Sequence, residues 1–156
     1  MPVQFLVTFP FSSSSCKKFI EKLTSTEYLF YNISLLRENA SILKRSFSVL
    51  IITMVIGKDY TQQTFTKEYL LSLLKIIEKY IECEHDWRGK DEKLGWIHAS
   101  AHLADTLGAI AGHPNSEKLI RQKSLALVKN LYLKTERINF THNEHKRMLK
   151  AIFSII

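Results

Sequence analysis

The chemically capable side chains of this chain concentrate between Glu82 and Asp105, which read E-C-E-H-D-W-R-G-K-D-E-K-L-G-W-I-H-A-S-A-H-L-A-D. Carboxylates, an Arg-Gly pair, two tryptophans and two histidines share one acidic turn and the start of one expected helix. His98, His102 and Asp105 stand at i, i+4 and i+7. At about 100° per residue a helix projects these three within roughly 60° of one another. Two imidazoles at that spacing can meet one ion, and a carboxylate one turn on can complete the set.

Three readings of this cluster are open. In the first, His98, His102 and Asp105 hold a divalent metal, with coordination positions left for water and Glu84 or Asp86 as general base. In the second, they form a structural network that ties the acidic loop to the helix through Arg88, an indole N–H or backbone groups. In the third, they bind an organic or phosphate ligand, with Arg88 and the first N–H groups of the helix on the anion side. Trp87 and Trp96 are expected to pack the loop onto the helices, or to wall a ligand site. His142 and His145 flank Glu144 and could add ligands from a second helix. His113, before Pro114, is expected to end a helix, and Cys83 is read as a small buried side chain. No nucleophile elbow and no phosphate-binding glycine loop is present.

The elements that must position these groups read as helices. Ser12–Ser15 and Pro2 and Pro10 mark an irregular lead-in over 1–15, with one helical domain expected over 16–156. A short helix is expected over Cys16 to Leu23, and a helical stripe over Thr26 to Glu38. Ser41 is expected to cap a helix from Ile42 to Ile56 that Gly57 ends, followed by a loop over 58–63. Thr66 opens an amphipathic helix with Leu70, Leu71, Leu73, Leu74, Ile76, Ile77, Tyr80 and Ile81 on one wide face. An acidic connection over Glu84 to Leu94 leads to a helix from about Lys93 to Ala111, closed by Gly112-His113-Pro114. Small residues Ala101, Ala104, Gly108 and Ala111 recur along it and admit a close helix neighbour. Helices from about Ser116 to Leu133 and from Thr141 or Asn143 to Ile156 complete the chain. No segment alternates like a strand. The expectation is therefore all-α, a stack of antiparallel helix pairs in a HEAT/armadillo-like superhelix.

Composition bounds the rest. The 156 residues suit one domain, and 46% hydrophobic with 24% charged residues is ordinary for a globular chain. Two cysteines make no disulfide framework. The net charge of +7 gathers late: residues 117–156 hold Lys118, Arg121, Lys123, Lys129, Lys134, Arg137, Lys146, Arg147 and Lys150 against Glu117, Glu136 and Glu144. Such an end reads first as a solvated helix face, and it can also attract nucleic acid, anionic lipid or an acidic partner. However, no groove-reading motif or interleaved stacking aromatics accompany it, so nucleic acid is disfavoured. The apolar run Phe47–Ile56 is too short to span a bilayer and reads as a core helix. The apolar finish Ile-Phe-Ser-Ile-Ile suggests that this end docks back, dimerises as a homo-oligomer, or is cut short.

Arg45-Ser-Phe-Ser-Val-Leu50, Glu84-His-Asp-Trp-Arg-Gly89 and Gly95-Trp-Ile-His-Ala-Ser-Ala-His-Leu-Ala-Asp105 together resemble a bacterial family of uncharacterised helical proteins, a domain of unknown function. Its pattern of an acid, x, Arg-Gly, then Gly-Trp-x-His-x-x-x-His-x-x-Asp falls on Asp86, Arg88, Gly89, Gly95, Trp96, His98, His102 and Asp105. The resemblance covers roughly residues 24–156. It implies an all-helical, HEAT-like fold in a cytoplasmic bacterial protein and carries no activity. Members look longer at both ends, which implies a shortened form or a fragment here. The expected function is a binding module for an unknown protein or small ligand, at Asp86, Arg88, Trp96, His98, His102 and Asp105. The alternative is a metal-dependent enzyme, a hydrolase, using His98, His102 and Asp105 with a divalent metal.

Overall fold

The computed structural model describes residues 12–33 and 38–156, and among them six helices and one short hairpin. Helix α1 spans Ser13–Leu23, three residues earlier than expected, because the Ser12 hydroxyl accepts from the Ser15 N–H and caps it. Cys16, Ile20 and Leu23 bury one stripe of α1 against α2 (Ser41–Gln62).

The helix expected over Thr26 to Glu38 is not formed over its described part. Residues 24–33 run as successive turns, with the Tyr28 and Phe30 N–H groups both donating to the Ser25 carbonyl. The Ser25 hydroxyl also accepts from the Glu27 N–H, a local alternative to helix that a nearby apolar stripe does not outweigh. Residues 34–37 of that segment lie outside the described residues.

Gly57 does not end α2. The helix continues to Gln62 and stops at Gln63, which takes a left-handed conformation (φ 52°). Gly57 sits in open space, so it costs only helix propensity, about 1 kcal/mol against Ala. The turn beyond it is worth keeping because it buries Asp59. That carboxylate accepts from the Thr64 hydroxyl, the Phe65 N–H (2.7 Å) and His113 Nε2 (3.2 Å). His113 therefore does more than end a helix: it pins the end of α2 from fifty-four residues away.

Helix α3, Lys67–Cys83, matches its expected cap and face, with Thr66 accepting from the Tyr69 N–H and Leu70, Leu73, Leu74, Ile77, Tyr80 and Ile81 buried. The acidic connection then carries two strand residues on each side, β1 (Lys90–Asp91) and β2 (Gly95–Trp96), paired antiparallel. This overturns both the expectation of no strand and the helix start at Lys93. Asp91 Oδ1 accepts from the Lys93 and Leu94 N–H groups (2.8 and 2.9 Å), and Gly95 takes φ +76°. An Asx turn closed by a left-handed glycine makes a hairpin before helix propensity can act.

Helix α4 runs Ala99–Gly112, α5 Lys118–Thr135 and α6 Glu144–Ile155. Ten of the fourteen residues of α4 are buried, so it is an internal helix, packed by α2, α5 and α6. The small-residue stripe serves that packing. A Cβ on Gly108 would lie 3.3 Å from Ser154 Oγ and 3.8 Å from Ala151 Cα, which brings α6 onto α4 backbone to backbone. Thr53 on α2 and Thr106 on α4 bond across the other side (2.6 Å). No helix among the described residues is long and apolar enough to cross a membrane.

Candidate functional site

Two arginines, Arg45 and Arg88, hold the acidic turn after α3 through ion pairs. Glu84 is buried and accepts from Arg45 Nε (2.6 Å), Arg45 Nη2 (2.9 Å), the Tyr80 hydroxyl (2.8 Å) and the His85 and Asp86 N–H groups (3.0 Å each). Burial works against the Arg45 charge, but the Glu84 hydrogen bonds and charge outweigh it and raise the Arg45 pKa. Burial beside Glu84 pushes the Tyr80 hydroxyl well above its ordinary value. Asp86 accepts from Arg88 Nε (2.8 Å) and Nη2 (2.6 Å), and Arg88 Nη1 donates to Asp91 (2.6 Å). Its pairing with Asp86 raises the Arg88 pKa. Arg88 Nη2 also donates to the Asn39 carbonyl (3.3 Å), and Nε lies 3.7 Å from Glu38, so this guanidinium is spent on its own turn and on the segment before α2 rather than on His98.

The hairpin delivers His98 to the start of α4 in an unexpected way. His98 is the residue before the helix, left-handed at φ 51°, and its carbonyl accepts from the His102 N–H. The Ile97 and His98 N–H groups both donate to the Gly89 carbonyl (3.0 Å each). His98 Nδ1 donates to Glu144 (2.9 Å), a side chain with no solvent exposure that also accepts from the His142 N–H. Asn143, before α6, is left-handed too (φ 69°). Two strained non-glycine residues therefore flank one buried contact. Gly89 completes it: a Cβ there would stand 2.9 Å from Glu144 Cδ and 3.3 Å from Phe140. The glycine of the Arg-Gly pair is required because a carboxylate occupies the space of its side chain.

One turn into α4, His102 is buried against α2. Its Nδ1 lies 3.0 Å from Ser46 Oγ and 3.3 Å from the Ser46 carbonyl. The Ser46 hydroxyl donates to the Ile97 carbonyl, and a carbonyl only accepts, so the network assigns the proton to His102 Nδ1. Burial, and then the nearby Arg147 charge, lower the His102 pKa to about 4. The ring is neutral at physiological pH. Neither His98 nor His102 has a protein partner at Nε2 among the described residues, and the two ring centroids lie 6.0 Å apart.

The third expected member turns elsewhere. Asp105 pairs with Arg147 of α6. Among the described residues, no group of three His, Cys, Asp or Glu side chains is placed to hold a metal ion. The turn, His98, His102 and Asp105 are neighbours, but they serve four separate junctions: turn to α2, hairpin to α6, α4 to α2, and α4 to α6.

Above these junctions lies an exposed aromatic face. Trp87 is buried against Tyr80, as expected of both tryptophans. Trp96 is instead 45% exposed. Its ring stacks on His98 (4.9 Å, 9° between planes), takes the edge of His142 (4.2 Å) and carries Lys90 Nζ 4.8 Å from its centroid. Phe47, also 45% exposed, borders His102 at 5.9 Å. His145 faces Tyr132 and Phe140 and stays apart. Sequence reasoning had missed Ser46, Phe47, Lys90 and Arg147, and had not marked Glu144 as a partner of His98. The one local sign of Glu144 was Gly89, a glycine where no turn demands one.

The fold and site define an all-α domain whose short hairpin seats a histidine pair between three helices. The chain belongs to the family described as protein of unknown function (DUF2785), which matches residues 29–156. No curated protein and no solved structure matches it.

Proposed function

We propose that this chain is a binding module and that it takes a ligand or a partner segment on the Trp96 face. The observation that carries this reading is the state of the two imidazoles. Each has Nδ1 held by a fixed protein acceptor and no protein partner at Nε2 among the described residues, beside an indole surface that the fold keeps in solvent. A flat ring on Trp96 would stack, and an N–H or O–H group beside it would meet His98 or His102 Nε2.

The enzyme alternative has less support. Glu84 and Asp86, its candidate bases, are saturated by donors, and a carboxylate that already accepts from an arginine fork is a poor proton acceptor. The same two imidazoles would suit a metal, since each has an outer partner, Glu144 or Ser46, of the kind that orients a ligating histidine. The third ligand is what that reading lacks. We further read the Asp86-to-Asp105 pattern as the signature of a bacterial, cytoplasmic family, and the helix pairs as one 16–156 unit of a HEAT-like stack.

The test uses tag-free protein purified without chelator. Metal is measured by mass spectrometry in wild type and His102→Ala. A Trp87→Phe form, in which Trp96 is the remaining indole, is then titrated with free nucleosides and aromatic amino-acid amides. Saturable quenching that weakens in His98→Ala supports the module. A stoichiometric metal that disappears in His102→Ala would replace it with the metalloenzyme, and no response to any probe would remove the Trp96 face as a site.

A further inference from the structure

The Trp96 face carries one charge that the fold leaves unused. Lys90 of β1 and Trp96 of β2 are direct partners across the hairpin. Partners in an antiparallel pair put their side chains on the same side of the ribbon, and Lys90 Nζ stands 4.8 Å from the centre of the Trp96 ring. Lys90 is exposed and joins no ion pair among the described residues. The aromatic surface beside it is continuous. Ring follows ring from Trp96 to His98 (4.9 Å), from His98 to His102 (6.0 Å) and from His102 to Phe47 (5.9 Å). Both ends of that run, Trp96 and Phe47, are 45% exposed.

The acids nearby are engaged without Lys90. Asp91 accepts from Arg88 and from the Lys93 and Leu94 N–H groups. Glu144 has no solvent exposure and takes His98 and the His142 N–H. Asp105 pairs with Arg147. Glu92 stands in solvent at the hairpin tip, next in sequence to the opposite charge of Lys93. Lys90 therefore rests on the indole as a cation on a ring, a weak contact at an exposed site. The sign of its charge sorts ligands. A cationic ring would have to displace Lys90 against that charge. A neutral ring would displace it and leave it without a partner. An anionic ring takes its place on Trp96 and gives the displaced ammonium a partner.

We infer, resting on the binding-module reading, that the Trp96 face selects a planar aromatic anion, a ring that bears a carboxylate or a phosphate, and that Lys90 sets this choice. The probes are benzoate, benzamide and benzamidine, one ring carrying in turn a negative, no and a positive charge. Phenyl phosphate beside benzoate then tells a phosphate-bearing ligand from a carboxylate-bearing one. Trp96 fluorescence is titrated in the Trp87→Phe form, with circular dichroism confirming that each variant is folded. Benzoate should bind roughly five-fold tighter than benzamide, and benzamidine more weakly still. Adding Lys90→Gln should erase the difference between benzoate and benzamide, and Lys90→Glu should invert the order. Added salt should weaken benzoate binding and leave benzamide unchanged, a readout that needs no substitution at Lys90. Equal affinity for the three probes, a preference for benzamidine, or a benzoate preference that survives Lys90→Gln overturns the inference while the face remains a binding site. No saturable response to any probe at about ten millimolar, nucleosides and amino-acid amides included, removes the face itself and the inference with it.

Discussion

His102 shows how one side chain carries a measurable property of the whole. Folded, its pKa is about 4, because burial and Arg147 oppose the charge. Unfolded, it returns to about 6.5. The depressed value means that the unfolded chain binds the extra proton between those limits. Stability from this residue is therefore complete above about pH 6.5 and drains away as pH falls toward 4. The gap is worth about 3 kcal/mol in all, of which about 2 kcal/mol is lost by pH 5. Urea midpoints at pH 7.5, 6 and 5 should fall more steeply for wild type than for His102→Gln, and parallel slopes would refute the assignment. The sequence shows that His102 is special by its company, but not what makes it so. Its partner, Ser46, is fifty-six residues away, and that of His98, Glu144, is forty-six away. No local pattern announces either contact.

At the scale of elements, the hairpin is the part of the site that periodicity misplaced. Lys93 to His98 reads as the first turns of a helix, and its individual residues tolerate one. The turn chemistry of Asp91 and Gly95 decides otherwise, and it shifts His98 from a helix face to a left-handed junction. The amphipathic face of α3 and the small-residue stripe of α4 were legible because each repeats at helical spacing over several turns. The hairpin offers only two paired residues on each strand, too few for a period. Gly89 links it to α6, and Gly89→Ala tests that link. The added methyl meets the Glu144 carboxyl, which His98 and the His142 N–H hold in place. We expect a loss of about 1–3 kcal/mol, the usual cost of overpacking, with Trp96 fluorescence shifted as His98 moves. In Gly89→Ala/Glu144→Ala the clash is relieved, so the alanine at 89 should cost markedly less there than in wild type. Equal costs in both backgrounds would show that Glu144 is not what Gly89 makes room for.

At the scale of the molecule, α4 is the shared wall. It packs on α2, α5 and α6, while α1 packs on α2 and sets Lys17 over the Tyr69 ring of α3. A helix buried on nearly every side cannot unfold locally without opening several neighbours, so its amides should exchange only when the whole chain opens. The stripe of small residues foretold the close packing of α4, yet not which helices would use it, because Ala and Gly specify distance and no partner. Native-state hydrogen exchange decides the matter. Amides of Leu103, Ala104 and Leu107 should be the slowest in the protein and should share one free energy with the facing part of α2. The hairpin amides from Lys90 to Trp96, mostly near the surface, should exchange at lower cost. Ala104→Leu adds bulk where Ala104 has no exposure and should lower the common free energy by about 1–3 kcal/mol, speeding exchange in α2, α4 and α6 together. If α4 instead exchanged faster than α3, or if Ala104→Leu loosened α4 alone, the histidine pair would rest on a locally opening element rather than on the cooperative centre. The Trp96 face would then be assembled by its ligand instead of standing ready for it.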